Sequence, residues 1–297
     1  MTTRLGSLNE FCWMDLKTRD LAGTTTFFSK TLGWRFAVDE KDWRKATKIT
    51  VDGHLIGSVS DLANPVYPPG TPAHIAYYLA VDNVDHRAEV ATANGARLVV
   101  PPFDVGDQGR TATLIDPVGA AFSLWQPRSF AGWQLPSHLA CAPHRMVLTC
   151  DQPEEARHFY EKTRGTPLNC ADFIATCGPR SCPQSPVVRP EGGPRGVWCV
   201  LSACRAEALV LVVRGLSPGA ARVRARRRGA GGTLRTRPSA SVPQWELSVD
   251  VEDLDSVAVR AQKHGQDSAT WSDKTDRRVV RLSSPEGLTF LVRCLEQ

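Results

Sequence analysis

The chain repeats itself, and an internal repeat constrains architecture before any other feature does. Phe11-Cys-Trp-Met-Asp-Leu-Lys-Thr18 alternates as a strand does, Asp20 stands where a helix cap is expected, and Leu21, Phe27, Phe28 and Leu32 space a helix that Gly33 closes. Ala142 to Thr149 alternates again, Asp151 offers a second cap, and Phe159-Tyr160 forms a second aromatic pair late in a helix ended by Gly165. A different unit starts at Ala73 to Val81 and Asp82-Asn-Val-Asp85, with a helix bearing Val84, Ala88, Val90 and Ala91 that stops at Gly95. It continues through Arg97 to Val100 and Gly109 to Ile115, then Asp116-Pro-Val-Gly119 turns into the strand Ala121 to Gln126. Its counterpart begins at Gln244 to Val251, has a helix ending at Gly265, and closes with Ser284-Pro-Glu-Gly287 turning into Leu288 to Val292. Four strand-helix-strands units thus stand as two pairs, and the fold class expected is α+β.

At 297 residues the chain holds about two domains of ordinary size. Its 42% hydrophobic and 23% charged residues are globular values. Arg4, Glu10, Asp15 and Lys17 interrupt the first twenty residues, so no signal-peptide core can be drawn there, and no later run is long enough to cross a bilayer. A cytoplasmic protein with no membrane partner is expected. The nine cysteines then read as thiols, and none of them are spaced as C-x-x-C for zinc. Much of the net charge of +5 comes from Arg222 to Arg237, which lacks acids and any accompanying reading element, so no nucleic-acid partner is expected. The chain also lacks a dinucleotide fingerprint, a P-loop and a nucleophile elbow.

Several local strings are more specific. The late Phe-Phe pair followed by Leu32-Gly-Trp34, the Val81-Asp-Asn-Val-Asp85 helix start, Pro101-Pro-Phe-Asp-Val105, Gly109-Arg110, and Asp116-Pro-Val-Gly-Ala-Ala-Phe-Ser-Leu-Trp125 resemble the glyoxalase/bleomycin resistance/extradiol dioxygenase (vicinal oxygen chelate) superfamily in its tandem form. The likeness spans residues 8 to 127 well, and 142 to 165 plus 243 to 295 moderately. It implies βαβββ modules paired into half-open eight-stranded mixed sheets around a small-molecule pocket. The boundaries implied are a first domain over 8–128, a linker over 129–141, and a second domain over 142–296 that contains an irregular segment at about 170–242. Between Thr166 and Pro243 only Gly196 to Leu201 and Ala206 to Arg214 read as strands. Two readings of that segment stand: a long insertion, which loop entropy tolerates, or a stretch translated out of frame, given its Arg/Gly/Ala/Pro/Cys bias.

Enzymes of the resembled family usually hold a divalent metal through His, Glu or Gln on the first and last strands of each module. Transferred to this chain, those positions fall on Trp13, near Ala76 and near Ser123, residue types that rarely or never ligate, so no metal is expected in the first domain. Asp15 lies on the same strand face as Trp13 and reads either as a hydrogen-bonded strand carboxylate, a partner for Arg110, or a lone ligand. In the second domain Glu246 corresponds to Ala76, and His144 lies within one residue of the first-strand position, the alternative register giving Arg145. The closing-strand position there falls on Leu291, so His144 and Glu246 are the metal candidates for Fe, Mn, Ni or Zn. His54 reads as a hairpin-turn residue and His74 as a strand-end histidine.

Without a metal, the first pocket is a binding site lined by aromatic and polar groups. The ligand-binding candidates are Trp13, Asp15, Tyr78, Arg110, Ser123 and Trp125, with Trp34 and Tyr77 as further aromatics that suit a core equally well. The function expected first is binding or sequestration of an aromatic or polyketide-like metabolite or drug by a monomer or homodimer. Two alternatives accompany it: a metal-dependent lyase, isomerase or dioxygenase using His144 and Glu246, and a scaffold whose pockets are vestigial.

Overall fold

The computed structural model describes residues 5–40, 45–165, 173–177, 197–202, 208–212, 242–265, 269–272 and 278–295. Strand β1 (Phe11–Thr18) leads into helix α1 (Leu21–Leu32) and strands β2 (Arg35–Val38), β3 (Thr47–Val51) and β4 (His54–Asp61). The pattern then recurs as β5 (His74–Ala80), α2 (Val84–Ala93), β6 (Arg97–Val105), β7 (Gly109–Ile115) and β8 (Ala121–Pro127). The second half begins with β9 (Pro143–Thr149), α3 (Pro153–Arg164), β10 (Phe173–Cys177), β11 (Val197–Ser202) and β12 (Ala208–Val212). It ends with β13 (Gln244–Val251), α4 (Leu254–His264), β14 (Ala269–Ser272), β15 (Arg278–Ser283) and β16 (Thr289–Cys294). Each half forms one eight-stranded mixed sheet, ordered β2-β3-β4-β1-β5-β8-β7-β6 and β12-β11-β10-β9-β13-β16-β15-β14. The same order appears twice, with the two modules of each half joined at their first strands (β1 with β5, β9 with β13). Most of the irregular segment, including the basic run 222–237, lies outside the described residues.

Local chemistry explains most element boundaries. Asp20 caps α1 by accepting from the Gly23 amide, and Gly33 ends it in the left-handed region at φ 72°. Asn83 and Asp253 cap α2 and α4 in the same way, accepting from the amides of His86 and Ser256. Asp151 is not the cap expected for α3: Gln152 holds the cap position without a side-chain bond. Pro153 at the first turn, which has no amide to satisfy, and the acids Glu154 and Glu155 near the helix's positive end replace it. Asp52 and Gly53 both take positive φ in the hairpin that starts β4 at His54.

The two halves meet through their helix-bearing faces. Phe28 of α1 and the following Trp34 pack on Phe290 of β16, while Phe122 of β8 packs on Phe159 and Tyr160 of α3. Phe11 lies against Trp245 with ring centroids 4.6 Å apart. Polar groups caught in this layer are matched across it. The Tyr77 hydroxyl accepts from the Leu247 amide at 3.1 Å, Tyr160 donates to Asp116 at 2.8 Å while accepting from the Trp245 indole at 2.7 Å, and Arg164 pairs with Glu10. Burial pushes the Asp116 carboxyl above its ordinary range, against the hydrogen bonds it accepts. Trp34 and Tyr77 are therefore core residues shared between the halves, and a single apolar cluster runs from Phe11 to Val292.

The closing turns interlock the halves further. Glu286, in the turn before β16, accepts from the Thr18 hydroxyl and from the amides of Arg19 and Asp20 at 3.2 Å, at the start of α1. Partial burial raises its carboxyl, but the bonds from Thr18 and the two amides outweigh this and hold it below the usual glutamate range. A carboxylate depressed in the folded state stabilises above its unfolded pKa, and that contribution is lost as pH falls through the folded value. Glu286→Ala should cost on the order of 1–2 kcal/mol at neutral pH, the scale of a lost helix cap. Urea midpoints of the two proteins should converge as the pH is lowered below the carboxylate range; a gap independent of pH would refute this account.

Candidate functional site

Backbone pleating divides β1 between two environments. Thr18 bonds the Thr24 hydroxyl of α1 at 2.8 Å, so the even-numbered side chains Met14, Leu16 and Thr18 face the helix layer. Trp13, Asp15 and Lys17 take the helix-free face. A bulge at Cys12, between the pairs Phe11 with Leu79 and Trp13 with Tyr78, turns Phe11 back toward the other half.

Register assembles the site across the sheet. Trp13 lies opposite Tyr78, Tyr78 opposite Ser123, and Ser123 opposite Thr113, where the two hydroxyls are 2.9 Å apart. Trp125, two residues beyond Ser123, shares the face and meets Tyr78 edge-on at 6.2 Å. Gly109 makes room for the Trp125 indole: a Cβ there would lie 2.5 Å from a ring carbon. Asp15 lies opposite Ser58 and Ala76. Its carboxylate accepts from Ser58 at 3.0 Å, from Ser60 at 2.7 Å and from the Lys17 ammonium, which also donates to Ser60 and to the Tyr67 hydroxyl at 3.0 Å. Burial, the largest single influence, would lower Lys17, but the Asp15 charge and hydrogen bond together with Tyr78 and Tyr67 outweigh it and hold the ammonium above the ordinary lysine range. The ammonium's three donors are all engaged, so it is fixed in its protonated form.

Five of the six expected ligand-binding residues, Trp13, Asp15, Tyr78, Ser123 and Trp125, therefore share one face. Arg110 does not. It neighbours Thr111, which pairs with Trp125, so the pleat sends Arg110 to the helix side. There its Nε and Nη2 hold both oxygens of Asp85 at 2.8 Å, and Nη1 reaches Asp104 at 3.1 Å. Of the readings open for Asp15, the partnership with Arg110 is thus corrected, and Asp15 is a hydrogen-bonded strand carboxylate whose charged partner is Lys17. Sequence reasoning passed over Lys17, Ser58 and Ser60. The period-2 rule applied to β1 reaches Lys17, whereas the serines required the parallel pairing of β1 with β4. His74 is exposed, with Nδ1 2.8 Å from the Pro72 carbonyl oxygen.

The second sheet's corresponding face has different chemistry. Arg145 lies opposite Ser248, as Trp13 does opposite Tyr78, and His144 occupies the bulge, as Cys12 does. The register is therefore the one that gives Arg145, and His144 leaves the first-strand ligand position. Its Nδ1 is 3.4 Å from Asp250, whose carboxylate is gripped by Arg293 at 2.7 and 3.2 Å. Glu246 is buried, bound by Arg281 at 2.7 Å and Thr149 at 3.3 Å. Leu291 sits opposite Ser248 and packs with Val147 and Val279. A divalent cation needs several donors that converge without competing positive charge. Here each carboxylate already neutralises a guanidinium, and His144 turns to Asp250 rather than Glu246. This donor set does not fit a metal, and among the described residues no group of three or more His, Cys, Asp or Glu side chains is placed to hold one.

The buried Asp15–Lys17 pair gives a direct test. Asp15→Ala leaves an ammonium without its counter-charge and should destabilise the protein by about 3 kcal/mol, whereas Asp15→Leu with Lys17→Met should recover most of that loss. Urea denaturation of the single and double variants would measure it; a double variant as unstable as the single one would contradict the pairing.

Comparison with known proteins agrees with this geometry. Residues 10–124 match the sequence model of the Glyoxalase/Bleomycin resistance protein/Dioxygenase superfamily. The protein named "Putative glyoxylase CFP32" of Mycobacterium tuberculosis is 30% identical over 165 residues, 55% of this chain and 62% of that protein. The anthracycline biosynthesis protein DnrV of Streptomyces peucetius is 28% identical over 164 residues, 52% of this chain and 59% of DnrV. The chain thus spans about six tenths of the length of these relatives. Among solved structures, the Mn(II)-bound glyoxalase of Novosphingobium aromaticivorans superposes with a TM-score of 0.52 at 13% identity, covering 99% of this chain and 84% of that one. The 2,2',3-trihydroxybiphenyl 1,2-dioxygenase of Sphingomonas wittichii strain RW1 gives 0.51 at 11% identity, covering 97% and 91%. At such identities these structures establish the shared fold alone. Through residues 10–124, the chain is similar to the glyoxalase/bleomycin resistance protein/dioxygenase superfamily.

Proposed function

We propose that this chain is a glyoxalase-like binding protein that takes up or sequesters a flat aromatic or polyketide-like small molecule on the helix-free face of its first half. The observation that carries the reading is the row Trp13, Tyr78 and Ser123 with Trp125 beside it, next to an Asp15–Lys17 pair whose charges cancel. The partly exposed Tyr78, with Trp13 and Trp125 largely buried on either side of it, supplies aromatic surface, and the hydroxyls of Ser58, Ser60, Tyr67 and Thr113 supply polar edges suited to phenol or quinone oxygens. The likeness to an anthracycline biosynthesis protein points to the same ligand class. In this reading residues 8–128 and 142–296 are two domains joined by 129–141, and the protein works in the cytoplasm as a monomer or homodimer, with no nucleic-acid or membrane partner. No helix among the described residues is long and apolar enough to cross a membrane.

The competing reading is a metal-dependent lyase, isomerase or dioxygenase with Fe, Mn, Ni or Zn on His144 and Glu246. It draws on the fold shared with a Mn(II)-bound glyoxalase, and the arginine-paired carboxylates weigh against it. Elemental analysis of protein purified without a histidine tag separates the two, since one equivalent of metal per chain would favour the enzyme. For the binding reading, quinizarin, a flat dihydroxyanthraquinone, should quench tryptophan emission saturably, and Trp13→Ala should weaken its binding about tenfold, ~1.4 kcal/mol. No quenching by it, or quenching unchanged in that variant, would count against the site.

A further inference from the structure

The strands of the second sheet carry more positive charge than negative. Their two acids, Glu246 and Asp250, stand against four arginines, Arg145, Arg278, Arg281 and Arg293. Arg278 turns to the helix side, where it pairs with Asp255 of α4. Three guanidiniums and two carboxylates therefore share the helix-free face, with the 42% exposed His144 beside Asp250.

The two carboxylates are closed to different degrees. Asp250 takes both Nε and Nη2 of Arg293, and each side chain is 7% exposed, so this pair is sealed. Glu246 is 3% exposed and has Arg281 on one oxygen and Thr149 on the other. Arg281 itself is less fully engaged: it gives Glu246 only its Nε, its side chain is 34% exposed, and among the described residues its two Nη groups have no hydrogen-bond partner. This guanidinium stands between a buried anion and solvent with donors still to place.

Register brings a second guanidinium close by. The row Arg145, Ser248, Leu291 and Arg281 crosses β9, β13, β16 and β15. Arg281 reaches back over β16 to Glu246 on β13, so its head group lies one strand away from β9, where Arg145 is partly exposed. Leu291, within the row, packs with Val147 and Val279 in a small buried apolar cluster. Apolar neighbours strengthen the pull of a guanidinium on an anion relative to open water.

We infer that Arg281 and Arg145 form an oxyanion-binding site on the second half, one that takes a single carboxylate or phosphate group of a small molecule. The planar fork of Arg281 suits two oxygens of such a group, and Arg145 supplies the charge that the two face carboxylates leave unbalanced. The arginines that weigh against a cation on this face are the ones that favour an anion. The site is separate from the aromatic face of the first half and does not depend on the function proposed for it.

Isothermal titration of the full chain with phenyl phosphate and with benzoate tests the site, with benzyl alcohol as the uncharged control. At least one of the two anions should bind one-to-one and benzyl alcohol should not; the tighter anion identifies the group preferred. Arg281→Lys keeps a counter-charge for Glu246 but lacks the fork, and it should weaken binding about tenfold, as should Arg145→Gln. Glu246→Gln removes the competing anion and should tighten binding about fivefold, which an Arg281 serving only as counter-ion would not produce. Arg35→Gln, at an exposed position on β2 of the first half, removes the same charge elsewhere and should leave the affinity unchanged. Near-ultraviolet circular dichroism checks folding, and Arg145→Gln, at a partly exposed position, carries the test if substitution at Arg281 unfolds the protein. Absence of saturable anion binding, an affinity unchanged in the folded arginine variants, no tightening in Glu246→Gln, or an equal loss in Arg35→Gln overturns the proposal.

Discussion

Strand alternation along β1 is the constraint on which the rest of this molecule depends. One register sends Met14, Leu16 and Thr18 to the helix layer, where the two halves share a core, and Trp13, Asp15 and Lys17 to the opposite face. A slip of a single residue would exchange the sets, placing an ion pair in the apolar layer and methionine and leucine on the site. The bulge at Cys12 does this locally: it rotates Phe11 onto Trp245 and allows a central strand to serve both the interface and the site.

The shared layer accounts for polar residues that would be costly alone. Burial leaves Tyr160, Asp116 and Tyr77 no water with which to exchange hydrogen bonds, so Tyr160 and Asp116 bond one another across the halves, Tyr77 takes the Leu247 amide of the other half, and the Trp245 indole donates to Tyr160 from within the second half. These pairings specify how the halves dock as well as stabilising them. The outward face of the first half is arranged differently, with a neutralised ion pair and hydroxyls beside indoles.

Much of this architecture was legible in the sequence. The duplicated alternation, the cap at Asp20, and the two Pro-containing closing turns locate the modules because each rests on local chemistry. Even in the irregular segment, Gly196 to Leu201 and Ala206 to Arg214 read as strands, and the structure has β11 at Val197–Ser202 and β12 at Ala208–Val212. What local chemistry could not supply was pairing between distant segments. Arg110 invites a carboxylate partner, but its choice of Asp85 over Asp15 depends on which face of β7 it occupies. His144 resembles a ligand until the bulge fixes Arg145 opposite Ser248. Asp151 matches a cap by composition, yet the helix begins one residue later and relies on Pro153. The stretch 129–141 is a linker in the boundaries that the resemblance implies, and local chemistry does not show that its Trp133 is buried and donates to the Ile56 carbonyl.

The docking of the two halves through their inner faces has an evolutionary corollary. Substitutions at Phe28, Phe122, Tyr160 or Phe290 are felt by both copies at once, which ties the inner surfaces to a common pattern. The outer surfaces carry no such obligation to each other. One half carries indoles and hydroxyls on its outer face while the other carries guanidinium–carboxylate pairs, two differently lined surfaces on one jointly maintained frame.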